Sequence, residues 1–359
     1  MRLVERLPRA GFILISLFAA VIASADASLG LPKTAPSPPR PESVALEQLG
    51  KRLFADKRLS ADGSTSCTNC HIPERHFTDG LPTARGLGGH SLARHTPSLL
   101  NVRYAQHLFW DGRATDLEAQ IRTPLLGPFE HGFASEQAVL AAVRQDPEYA
   151  SGFERLRGVA PKDLTLKDLG RAIAAYERTL LAGNSALDRY LFGHDRLAMT
   201  PAAVRGLDLF RGRARCATCH RIDAESALLN DGEFHASPLP LPDSTLSQLG
   251  KLTARVERLR KGGATDSLNA LIASDSSIAS LGRFAVTLDP RDIGLFKTPS
   301  LRNVASTGPY MHDGSVDSLE KAVDLELYSR TAQRYPLVIT EDERADLIAF
   351  LHALSSRDQ

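Results

Sequence analysis

Apolar residues recur at helical spacing over several stretches of the chain. Across residues 166–181 (LKDLGRAIAAYERTLL), Leu166, Leu169, Ile173, Tyr176 and Leu180 share one face, and Thr165 stands where an N-cap belongs. Thr200 followed by Pro201 gives a cap and a first-turn proline ahead of AAVRGLDLF. Thr340 and Glu343 form a capping-box pattern before the C-terminal run ADLIAFLHAL. A further amphipathic helix is predicted over residues 246–261 (LSQLGKLTARVERLRK). No run of alternating apolar and polar residues is long enough to predict a sheet. The expected fold is therefore all-α, with loops wrapped around the chemistry.

The pattern also repeats. Residues 96–121 (TPSLLNVRYAQHLFWDGRATDLEAQI) align without a gap on residues 298–323 (TPSLRNVASTGPYMHDGSVDSLEKAV), at an offset of 202 and with ten of 26 positions identical. Two CxxCH motifs repeat at an offset of 149, so the second half carries 53 additional residues between its motif and its TPSL segment. The reading is two related domains in tandem: 43–195, and 196–359 with an inserted segment 223–290.

The N-terminus has a different pattern. Arg2, Arg6 and Arg9 precede the apolar run 11–23 (GFILISLFAAVIA), and small residues at Ala23, Ala25 and Ala27 offer cleavage sites. That run is short of the roughly 20 residues a bilayer span needs. Residues 1–27 are expected to be a signal peptide for export to the periplasm, leaving no stable membrane span after cleavage. Residues 28–42 are expected to be a flexible, Pro-rich lead-in. The length of 359 residues suits two domains, and a net charge of +1 supplies no field for gathering nucleic acid.

All four cysteines lie in Cys67-Thr68-Asn69-Cys70-His71 and Cys216-Ala217-Thr218-Cys219-His220. CxxCH is the attachment signature of a c-type haem. Two thiols add to the two vinyl groups of one porphyrin, and the adjacent His becomes an axial iron ligand. A zinc site would want further Cys or His ligands close by. A thioredoxin-like pair would want a βαβ setting. Two covalently bound haem c groups are therefore expected.

At this point the chain resembles the bacterial di-haem cytochrome c peroxidases and their MauG-like relatives, from about Glu47 to the C-terminus. The matching segments are LGKRLFADKRLS, CTNCH, TPSLLN, FWDGRATDLEAQ, GPFEHGF, CATCH, FKTPSLRN and PYMHDGS. The resemblance implies that hydrogen peroxide reacts at the first haem, over His71, with Gln120 and Glu130 as the distal amide and carboxylate. It places Trp110 between the haems and makes His220 the proximal ligand of the second. It also implies an external electron donor, either a small periplasmic redox protein or a residue of a partner protein. Thr307 and Pro309 match a region that holds a calcium ion in the family, but His95 stands where an Asn is usual.

Two departures bear on subtype. Leu87 occupies the position of a distal His, with His90 and His95 nearby but out of register, so an open first haem is expected. The position fourteen residues after His312 is Glu326, where relatives carry Met or Tyr. Reading two added residues there makes Tyr328 the expected sixth ligand of the second haem, with Glu326 and Met311 as alternatives. A phenolate would lower that haem's potential. The competing function is a non-catalytic di-haem electron carrier, whose two irons would both be six-coordinate. A metal-sensing module would instead predict zinc and no porphyrin.

Overall fold

The computed structural model describes residues 28–33, 44–241, 245–332 and 337–356. The proposed signal peptide, residues 1–27, lies outside the described residues, as does most of the Pro-rich lead-in. The described part of that lead-in, 28–33, forms a turn tucked into the body rather than a flexible approach. Leu31 is buried, Asn184 N donates to Leu29 O at 2.9 Å, and Ala227 N donates to Gly30 O at 2.8 Å.

The fold is helix-rich, and the predicted caps organise it. Thr165 and Asp168 form a capping box on helix Leu166–Glu177. Thr200 Oγ1 accepts from Ala203 N at the start of Pro201–Arg211, and Thr340 and Glu343 box the start of Glu341–His352. In each half the helix preceding the haem motif packs against the last long helix of that half. Val44–Ala55 lies on Leu166–Glu177, and Pro201–Arg211 lies on Glu341–His352. Phe54 and Phe210, each on the helix before its haem motif, are fully buried in the two resulting cores. A third core belongs to the inserted segment, where Val256, Leu268, Ile272, Ile278, Leu281 and Phe284 close on one another.

All-α needs one correction. Phe234–Ala236, within the insertion, pairs antiparallel with Leu295–Lys297, just after it. Strands of three residues are too short to show alternation in a sequence. Among the described residues no helix is long and apolar enough to cross a membrane.

The repeat segments carry matching backbone devices. Asn101 and Asn303 both adopt left-handed φ, at 61° and 57°, a conformation that Asn tolerates better than most residues. Each latches the end of its own half: Ala182 N donates to Asn101 Oδ1 at 2.9 Å, and Ser356 N donates to Asn303 Oδ1 at 3.1 Å. Each repeat then closes a hairpin, by bridges Leu108–Ala114 and Tyr310–Val316. At the tips Gly112 and Gly314 have φ of +70° and +64°. A Cβ on Gly112 would strike Phe234 and Arg283 of the second half, and one on Gly314 would strike the Pro82 backbone of the first. The two hairpins therefore dock reciprocally.

Candidate functional site

One continuous cavity of about 1410 Å³ runs through the molecule, lined by residues of both CxxCH motifs. Ser66 and Asn69 box the short helix Cys67–Cys70, which delivers His71. His71 Nδ1 lies 2.9 Å from Phe77 O, and His220 Nδ1 lies 3.0 Å from Leu229 O. A carbonyl can only accept, so Nδ1 carries the proton in both rings and the ligating lone pair is on Nε2. That is the usual way a protein orients a histidine that binds metal. Burial holds His71 below the ordinary histidine range, which favours the neutral, ligating form. The four cysteines are not engaged in disulfides. Cavity, thiols and imidazoles together fit two covalently attached porphyrins.

Gln120, Glu130 and Trp110 all line this cavity. Gln120 ends a short helix, Leu117–Gln120, whose first turn is capped by Asp116. Glu130 sits in a turn closed by Glu130 N to Gly127 O at 3.0 Å. Desolvation pushes its carboxyl up from the ordinary range, partly offset by Arg113. Burial thus favours the protonated form of a carboxyl that faces the cavity, the kind of group that serves in acid–base work. Trp110 is fixed at both ends. Its Nε1 donates to His95 O at 2.9 Å, and its carbonyl accepts from Lys297 N at 2.8 Å. The His95 N–H in turn donates to His312 O at 2.9 Å, so one residue links the indole to the second repeat.

Neither Leu87 nor His90 lines the cavity; His90 is exposed and packs on Phe129 with ring centroids 5.5 Å apart. His95 is cavity-lining but committed, with Nδ1 2.8 Å from Leu81 O. Calcium takes oxygen ligands. Thr307 and Pro309 line the cavity, and His95, at the position where the resemblance implied an Asn, offers ring nitrogens rather than an oxygen.

On the second side, the structure separates the axial candidates. Tyr328 is 74% exposed and lies outside the cavity. Leu319, Ala322, Val323 and Glu326 of the same helix, Leu319–Ala332, do line it, as does Met311. Residues missed in the sequence also face the cavity. His131, next to Glu130, is buried with Nδ1 bonded to Leu59 O, and Glu177 ends helix Leu166–Glu177 with its Oε2 buried and without a partner. His131 lies within GPFEHGF, beside Glu130, but that segment assigned a role only to the carboxylate. Glu177 did carry a signal: it lies four residues after Ile173, on the apolar face of its helix.

Comparisons with known proteins agree with this geometry. Residues 44–196 match the family model described as di-haem cytochrome c peroxidase. The chain is 36% identical to a cytochrome-c peroxidase of Denitromonas iodatirespirans, over 94% of this chain and 91% of the relative. It is 35% identical to the methylamine utilization protein MauG of Methylorubrum extorquens, over 91% of this chain and 82% of the relative. Among solved structures, a MauG-like protein associated with microbial copper homeostasis superposes with a TM-score of 0.71. That match has 31% identity and covers 91% of this chain and 94% of that one.

Proposed function

Because the chain belongs to the di-haem cytochrome c peroxidase family, in which MauG also falls, we propose that it is a periplasmic di-haem peroxidase with an open first haem. It would use hydrogen peroxide to oxidise an external donor, either a small redox protein or a residue of a partner protein. Cys67 and Cys70 anchor the first haem and Cys216 and Cys219 the second, in domains 43–195 and 196–359. Bound there, the haem irons supply peroxide binding and storage of oxidising equivalents.

The chain's own residues do the rest. His71 and His220 would hold the irons through Nε2, each oriented by its Nδ1 bond to a carbonyl. Glu130 takes a proton from one peroxide oxygen and returns it to the other, the acid–base work that unequal O–O cleavage needs. Gln120 orients the peroxide, and Trp110 carries electrons between the halves. Glu326 is the candidate for the sixth position of the second haem. The export-type N-terminus supports the periplasmic assignment.

One observation carries the reading: Gln120, Glu130 and Trp110 converge on a cavity from which Leu87 and His90 are absent. The test is electron paramagnetic resonance of the oxidised protein before and after stoichiometric hydrogen peroxide. A mixed high- and low-spin spectrum that changes at once, and roughly 10²–10⁴-fold more slowly in Glu130→Gln, is the expected result. Two low-spin haems inert to peroxide until half-reduced would mean that a histidine such as His90 closes the first site, and inertness after reduction as well would make the chain an electron carrier.

A further inference from the structure

The inserted segment of the second half reaches the Trp110 hairpin through Arg283 and Phe234, of which Arg283 supplies the hydrogen bonds. Arg283 Nη1 donates to Asp111 O at 3.1 Å and to Gly112 O at 3.0 Å. Its guanidinium lies over the Phe234 ring, 4.2 Å from the centroid, and Phe234 packs against His107 with centroids 5.1 Å apart. Gly112 has no side chain, and that is what admits Arg283 and Phe234 to the hairpin tip.

The rest of the hairpin is held mainly from within its own half. The Asp111 carboxylate, fully buried, is clamped by Arg94 at 2.7 Å and Arg113 at 2.9 Å. Arg113 also stacks on Phe109 at 3.6 Å. Arg94 extends the link outward, donating to Ala279 O of the insertion at 2.7 Å. The two carbonyls following Trp110 are thus the places where the insertion grips the element that carries the indole. Both bonds come from a charged donor, the stronger class of hydrogen bond.

We propose that Arg283 is a positioning residue for electron exchange between the two haems: the insertion acts as a clamp that fixes the Trp110 hairpin against the second half. The proposal rests on Trp110 being the inter-haem bridge. Tunnelling through a bridging side chain depends steeply on its placement. A hairpin freed at residues 111–112 would leave the indole residue held only through His95 O and Lys297 N, loosening that placement while the cysteines, His71, Gln120 and Glu130 stay where they are.

The experiment uses the full haem-loaded protein. Carbon monoxide is photolysed from the half-reduced form, and electron arrival at the second haem is followed by absorbance. Arg283→Ala is expected to slow that exchange at least tenfold, with haem content and the rate of reaction with peroxide unchanged. Arg283→Gln keeps one donor on a similar stem; it should fall between, and it replaces Arg283→Ala if that variant loses haem. Trp110→Phe separates the two layers. Slow exchange in Trp110→Phe with wild-type exchange in Arg283→Ala overturns the clamp and leaves the bridge standing. Wild-type exchange in Trp110→Phe removes the bridge and the clamp with it. A lowered melting temperature in Arg283→Ala with unaltered exchange means that the contact is structural only, which also overturns the proposal.

Discussion

Glu177 shows how much one side chain can depend on its surroundings. Burial pushes its carboxyl up to about 8; Arg178 opposes the rise and Glu118 adds to it. The folded protein therefore keeps a proton that the unfolded chain releases above its ordinary value of 4.5. Stability must fall as pH climbs from that value towards 8, because over this window the native state binds more protons than the unfolded one. Glu177→Gln cannot ionise. Its melting temperature relative to wild type should be close to neutral at pH 5 and rise steadily towards pH 8; a gap that ignores pH would contradict the account. At this scale the sequence was legible where a motif existed. Cys67, Cys70, His71 and their counterparts announce themselves, and Glu130 stands out through its place in GPFEHGF. Glu177 left only a faint trace, a carboxylate on the apolar face of its helix. The place of His131 in the same GPFEHGF segment did not say that its ring would face the cavity, which is decided when folding buries that surface.

Among elements, helix Leu319–Ala332 is the instructive case. Successive residues turn by about 100° around a helix, so a shift of two swings a side chain to nearly the opposite face. Counting fourteen from His312 without a gap reaches Glu326, which lines the cavity. Adding two residues reaches Tyr328, which faces solvent. Tyr328→Phe should leave the resonance spectrum of the second haem unaltered, whereas Glu326→Ala should shift it. A changed spectrum in Tyr328→Phe with none in Glu326→Ala would restore the tyrosine. Helices with caps were readable in advance because Thr165, Thr200 and Thr340 encode their starts locally. The short strands were not, since Phe234–Ala236 owes its pairing to a partner some sixty positions away.

For the molecule as a whole, the duplication was plain in the sequence, and the 53 additional residues pointed to an insertion. That the insertion builds a third core and grips the first half was not, because its contacts run between distant segments. The same holds for Arg302, which looks like one more residue of TPSLRN. It is buried, pairs bidentately with fully buried Asp188, and donates to Ala227 O at 2.8 Å and Gly30 O at 2.9 Å. It thereby ties residues 28–33 to the second core. Removing one member of such a pair leaves an uncompensated buried charge. Arg302→Ala should cost about 3–5 kcal/mol in denaturant unfolding, and Arg302→Met with Asp188→Leu should recover much of it. Equal losses in the single and double variants would mean that packing, not the stranded carboxylate, sets the cost.

The paired glycines at the hairpin tips give the duplication a mechanical meaning. Gly112 is the eye into which the second half hooks, and Gly314 is the eye for the first. Cut near residue 195, each fragment would keep its thiols and its histidine yet lose the wall against which its own hairpin rests. The two repeats are less like beads on a thread than like the two leaves of a hinge, where neither leaf defines the axis alone.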